Sequence, residues 1–208
     1  MPHVGIVIRP CANDSIRDKR RAAVRSSMSL RPLALIGLLA ALLLPQVAAA
    51  TVTITDCTSD PHCVAVGKKT VITVSGDTVV IAGAIVPLGG TTTIQVFASA
   101  IAVDGPSGGQ ISATGKGQSI VLDAASVLVT GSLHSADTNG KIILRGADTV
   151  QVQGPLDVDS GGEARVICTG IGCTLNVVGV HFHVNHLVLD AQGDIIWDGN
   201  SILAFGPR

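Results

Sequence analysis

The sequence predicts an all-β chain wound as a right-handed parallel β-helix, a solenoid of about six coils with three short strands per coil. Three observations carry this. A glycine returns every twenty-odd residues, at Gly83, Gly105, Gly131, Gly154, Gly179 and Gly199, and a hydrophobic residue stands two and four positions before each, as in VVIAG and VLVTG. Repeats of that length belong to stacked coils that bury their faces on one another. Apolar residues inside each repeat alternate at a spacing of two, the period of a strand with one buried face. Outside one apolar segment near the beginning, no stretch sustains a 3.6-residue period.

That segment, Leu33 to Leu44, reads LALIGLLAALLL, with Arg31 before it and Pro45 and Ala48-Ala49-Ala50 after it. A basic flank, a short apolar run and small residues at the cleavage positions describe a secretory signal. The run falls short of the roughly 20 residues that span a bilayer. Residues 28–50 are therefore read as a signal peptide, Met28 as the true start, residues 1–27 as an upstream extension, and Thr51 as the first residue of an exported chain. Its destination would be the periplasm, the cell surface or the medium, with no stable membrane insertion after cleavage. The cluster Arg17, Lys19, Arg20, Arg21 and Arg25 lies in the discarded part. Arg20-Arg21 is followed by Ala-Ala-Val rather than the bulky residues expected after a twin-arginine pair.

Residues 51–68 form a cap and residues 69–208 the β-helix domain. The coils run Lys69 to Gly90, Thr91 to Gly117, Gln118 to Gly140, Lys141 to Gly162, Glu163 to Asn185 and His186 to Arg208. Each opens with an apolar pair: Ile72/Val74, Ile94/Val96, Ile120/Leu122, Ile142/Leu144, Ala164/Val166 and Leu187/Leu189. The second pair precedes the glycine: Val79/Ile81, Ile101/Val103, Val127/Val129, Val150/Val152, Leu175/Val177 and Ile195/Trp197. A third apolar position follows it, at Ile85, Leu133, Leu156, Phe182 and Ile202. Small and turn-forming residues such as Ala124-Ala125 and Gly193-Asp194 mark the corners between strands.

Two coils depart from the pattern. Coil two carries PSGGQISATGKG after Gly105, read as a flexible surface insertion, and coil five has an enlarged corner holding Cys168 and Cys173. Beyond Cys11 the chain has four cysteines, Cys57, Cys63, Cys168 and Cys173, which allow three pairings. Pairing within each short loop is expected of a secreted chain. A zinc site built from both pairs would have to join loops several coils apart.

Equivalent residues recur at one coil's separation in the same orientation, so each strand can pair in parallel with its copy about 4.8 Å away. A sandwich would not need the glycine column, and the handedness of parallel crossovers points to a right-handed winding. On these columns, residues 69–208 resemble the parallel β-helix proteins of bacterial secretion and cell surfaces. Those include haemagglutinin-like adhesins, autotransporter passengers and the pectin-lyase-like enzymes. The resemblance implies an exported solenoid with a structural, adhesive or surface-interaction role. Polysaccharide lyase or hydrolase activity is the alternative it carries.

Composition narrows the partners. From Thr51 onward seven Lys/Arg face thirteen Asp/Glu, a net charge near −6, and the whole chain has no Tyr, one Trp and three Phe. An acidic surface without stacking platforms does not suit nucleic acid or a conventional sugar cleft. No cofactor motif is present: Gly89-Gly90 and Gly161-Gly162 precede no helix that could hold a phosphate. Threonines at 51, 53, 55 and 91–93 do not recur coil after coil as an ice-binding array would need.

Stacking brings one polar cluster together. Just past the third apolar position, coils three, four and five present His134, Asp157 and His183, which would stand above one another on the outer face. His181 shares the face of His183, and Asp159 and His186 lie near in sequence. Imidazole with carboxylate suits zinc or a similar divalent ion. For lyase chemistry the candidate acids are Asp77, Asp104, Asp148, Asp157, Asp159, Asp190, Asp194 and Asp198, mostly at corners where aspartate caps turns, with Lys141 and Arg145 sharing a coil with Asp148 and Asp157. No catalytic residue emerges from them. The last coil stops at Phe205-Gly206-Pro207-Arg208 beside Trp197, Ile202 and Leu203, and an uncapped solenoid end invites self-association or partner docking.

Overall fold

The structure is a computed structural model that describes residues 6–9, 49–115, 117–137, 139–159, 162–198 and 201–204. Met28, the apolar segment 33–44, Gly199 and Phe205 to Arg208 lie outside the described residues. Strand β1 spans Ile6–Arg9, and β2 (Thr51–Ile54) and β3 (Cys63–Val66) precede the coils. Coil one is β4 (Lys69–Thr73), β5 (Thr78–Ile81) and β6 (Ala84–Ile85). Coil two is β7 (Thr93–Phe97), β8 (Ala100–Val103) and β9 (Gln110–Ala113). Coils three and four each run a single bent strand through the first corner, β10 (Ser119–Val129) and β12 (Lys141–Val152), followed by β11 (Ser132–Ser135) and β13 (Leu156–Val158). Coil five is β14 (Glu163–Cys168), β15 (Thr174–Val177) and β16 (His181–His183). Coil six is β17 (His186–Ala191), β18 (Ile195–Trp197) and β19 (Ile202–Ala204).

Each strand pairs in parallel with its equivalent one coil away, which makes a parallel β-solenoid of about six turns. There is no α-helix among the described residues, and none of their helices is long and apolar enough to cross a membrane. Like stacks on like inside. Ile94, Ile120, Ile142, Ala164 and Leu187 form one fully buried column, and Val79, Ile101, Val127, Val150 and Leu175 another. Ile85, Ile111, Leu133, Leu156 and Phe182 form the third. Burying each large aliphatic chain contributes roughly 1.5–3 kcal/mol, so the three columns are the main source of stability.

Three details differ from the sequence expectation. In coil one the register pairs Thr70 with Ile94 and Ile72 with Val96, so the inner pair is Thr70/Ile72 rather than Ile72/Val74. Thr70 is fully buried and satisfied by a closed ring of hydrogen bonds. The Leu88 amide donates to Thr70 Oγ1 (2.7 Å), Thr91 Oγ1 donates to the Leu88 carbonyl (2.6 Å), and Thr70 Oγ1 lies 2.6 Å from Thr91 Oγ1. A hydroxyl so bonded can occupy an apolar column, and alternation of apolar letters cannot show it.

The coil-two insertion is not wholly a flexible surface loop. Gly105–Ser107, a single 3₁₀ turn, and Gly108 form an excursion; Gln110–Ala113 is β9, the third strand, with Ile111 and Ala113 fully buried. Gly109 rather than Gly105 then stacks between Gly83 and Gly131, because Gln110 pairs with Ala84 on one side and Ser132 on the other. In coil six, Leu203 rather than Ile202 pairs with Phe182. An apolar residue at 202 does not by itself mark the interior row, which the pairing fixes.

The ends are closed differently. At the start, β2 lies parallel on β5 and β3 antiparallel on β4, with Cys57 and Cys63 joined across the turn between them. At the far end β1 lies parallel on the outer edge of β17. One of the three edges expected to be bare therefore has a partner. Trp197 occupies an interior position of the last coil yet is 40% exposed, and it stacks on Phe182 with ring centroids 5.7 Å apart.

Candidate metal centre on the third face

Alternation along the third strands decides which side chains reach the outer surface. Leu133 and Ser135, Leu156 and Val158, and Val180 and Phe182 point inward and are buried. Their neighbours His134, Asp157, His181 and His183 point outward. Register then stacks them: His134 pairs with Asp157, and Asp157 with His183. The column expected from the repeat is in register.

Asp157 bridges its two neighbours. Its Oδ2 lies 3.3 Å from His134 Nδ1, and its Oδ1 lies 3.0 Å from His183 Nδ1. The side chains of Asp157 and His183 are each 16% exposed, whereas His134 stands further out. Asp159 completes the cluster from the corner after β13. Its amide donates to the Ser135 carbonyl (3.1 Å), and the Gly162 amide donates to its own carbonyl (3.0 Å), so the backbone holds it on both sides. One ligand atom from each of His134, Asp157 and Asp159 falls within 4.8 Å of the other two. Imidazole nitrogen and carboxylate oxygen in this arrangement can coordinate a divalent ion, or share a proton along the column.

His186 belongs elsewhere. It stands at the start of β17, on the first face, where His186 Nδ1 lies 3.1 Å from Glu163 Oε1. Glu163 is the hub of a second ladder, with Arg165 Nε donating to it at 2.8 Å and Lys141 Nζ forming an ion pair with it at 3.8 Å. Partial burial pushes the Glu163 carboxyl up. The Arg165 and His186 hydrogen bonds and the charges of Arg165 and Lys141 outweigh that and hold it below its ordinary value of 4.5. Lys141, Glu163 and His186 are the first residues of three successive coils, so the repeat alignment already contained this ladder. At the cap, hydrogen bonds from Thr58 lower the Asp56 carboxyl.

Three of the other candidate acids serve structure. Asp77 accepts the Ala50 amide (2.8 Å), Asp104 accepts the Ser107 hydroxyl, and Asp198 accepts the Gly179 amide and the Ser201 hydroxyl. Arg145 reaches Asp123 (3.7 Å) in the adjacent coil, and Lys141 reaches Glu163, so neither basic residue is paired with Asp148 or Asp157. The cysteines pair locally, Cys57 with Cys63 and Cys168 with Cys173, with Cα separations of 5.3 and 5.6 Å. That pairing leaves no thiolates for a zinc site between the loops. No protein-family model, curated protein or solved structure matches this chain, and the reading of the site rests on its own geometry.

Proposed function

We propose that the chain is an exported β-solenoid with a structural or surface-interaction role, resembling the cell-surface β-helix proteins in use as well as in architecture. The observation that carries this is the regularity of the outer faces. Side chains from successive coils stand in register about 4.8 Å apart over an interior packed with aliphatic columns, as in the Asp123–Arg145 and Lys141–Glu163–His186 ladders. A rigid, periodic surface suits multivalent contact with another periodic surface, such as an envelope polymer. Two short-range disulfides fit a compartment outside the reducing cytoplasm.

The last coil supplies a place for association with a second copy. Among the described residues β18 and β19 pair on one side only, and β1, the parallel strand added to the neighbouring edge at β17, lies in the segment that export would remove.

Retention and turnover can be measured together. The purified chain is passed over immobilised acidic polysaccharide and cell-envelope fractions while release of reducing ends is followed. Saturable retention without product is the expected result. Product release in proportion to protein would favour the lyase or hydrolase alternative, and no retention on any surface would reject the proposed role.

A further inference from the structure

We propose that His134, Asp157 and Asp159 form a binding site for a divalent transition-metal ion of the zinc class, with His183 as the positioning residue behind it. The site joins coils three and four on the third face, and His183 extends its support into coil five.

The geometry favours this ion in three ways. Two ligands on a tetrahedral zinc, each bonded at 2.0–2.2 Å, stand about 3.4 Å apart. His134 Nδ1 and Asp157 Oδ2 are 3.3 Å apart, so an ion could enter between them with both side chains near their present positions. The third atom, from Asp159, lies within 4.8 Å of these residues' ligand atoms and needs only a side-chain adjustment to close the set.

The ligand chemistry is the second argument. One imidazole and two carboxylates suit zinc and its neighbours, whereas calcium seeks six to eight oxygens and finds only two carboxylates here. A fourth position is left for water or a partner's group.

The third argument is the support. The Asp157 oxygen that faces away from His134 is held by His183 Nδ1 at 3.0 Å, and the Asp159 backbone is fixed by Ser135 and Gly162. Ligating carboxylates are commonly oriented by a further hydrogen bond, and losing such a partner typically costs 10–100-fold in affinity. His183 therefore tunes and aims Asp157 rather than binding the ion.

Zinc chloride and cobalt chloride titrated into the full chain test the proposal, with calcium chloride as the comparison. One saturable zinc site is expected, with cobalt giving visible bands of tetrahedral intensity. His134→Gln and Asp159→Asn should each abolish measurable zinc binding. His183→Gln should retain the stoichiometry, weaken zinc about tenfold and shift the cobalt bands. All three positions face outward, so an unchanged far-ultraviolet circular dichroism spectrum certifies the fold; Asp159→Ser serves if Asp159→Asn does not fold. The proposal is overturned by no saturable zinc binding in the parent chain, by zinc binding that survives both His134→Gln and Asp159→Asn, or by calcium binding tighter than zinc.

Discussion

A single leucine shows how the interior is stabilised. Leu144 is fully buried in a column between Leu122 and Val166, with a backbone that parallel pairing fixes above and below. Leu144→Ala leaves a cavity that these neighbours cannot close, and a loss of roughly 2–5 kcal/mol is expected. Urea denaturation reads this directly as a fall in midpoint at constant slope. Glu163 shows the outer surface at the same scale. Its carboxyl is lowered in the folded chain, so its contribution to stability is present above the ordinary 4.5 and is lost as pH falls through the lowered value. Its partners Lys141, Arg165 and His186 are each close to half exposed, so solvent screens the ladder and keeps that contribution to about 1 kcal/mol. Glu163→Gln should flatten the acid side of the stability curve below pH 4.5; a curve of unchanged slope would show that Glu163 contributes nothing there. Which residues face inward was legible from alternation except at Thr70, at Ile111 and Ala113 of the coil-two insertion, and at Ile202, where the register pairs Leu203 with Phe182 instead. What could not be read was which of two outward neighbours meet, because a carboxylate's two oxygens can serve different partners, as those of Asp157 do.

At the scale of the element, the glycines at the corners divide into two physical kinds. Gly83, Gly131 and Gly154 sit where one corner rests on the next. A Cβ there would overlap a backbone carbonyl of the adjacent coil, that of Thr55, Gly109 and Gly131 respectively. Backbone cannot step aside as a flexible side chain can, so Gly154→Ala must separate coils three and four locally. Gly76 lies at φ +82 with open space around it and is needed for its left-handed conformation alone. Gly76→Ala should cost about 1–2 kcal/mol, and Gly154→Ala distinctly more; thermal melts of the two variants in parallel decide this, and equal costs would contradict the stacking argument. The Cys168–Cys173 corner is a third device. Closing so short a loop restrains the unfolded chain by about 2 kcal/mol, and a C168S/C173S variant should melt lower by that equivalent. The repeat located these corners in the sequence. It could not tell Gly105 from Gly109, because both follow the same strand and only pairing decides which glycine lies against its neighbours.

For the whole molecule, the two ends matter more than the middle. The start of the solenoid is covered by β2 and β3, whereas among the described residues at the far end only β17 has an added partner, β1. Ile196, 49% exposed on β18, lies on an edge where a lysine would oppose strand addition. Sedimentation of the full chain should show association that rises with concentration and is weakened by Ile196→Lys. A strict monomer at high concentration would count against docking at this end. The architecture and most of its register were legible because parallel stacking forces each coil to repeat the one before it. The seating of Ile6–Arg9 was not, since four extended residues carry no mark of the edge they choose.

The short excursion of coil two has a practical meaning. Gly105 to Gly108 form an excursion while the strands on either side keep their pairing with coils one and three. The winding therefore tolerates what is threaded through that corner, provided both feet of the loop stay where Gly109 and Gly105 now stand, the latter donating its amide to Thr130 Oγ1 and leaving no room for a side chain beside the Thr130 carbonyl. A foreign peptide grafted between them would be displayed on a stiff stem at a known height along the axis, and the chain could serve as a presentation scaffold.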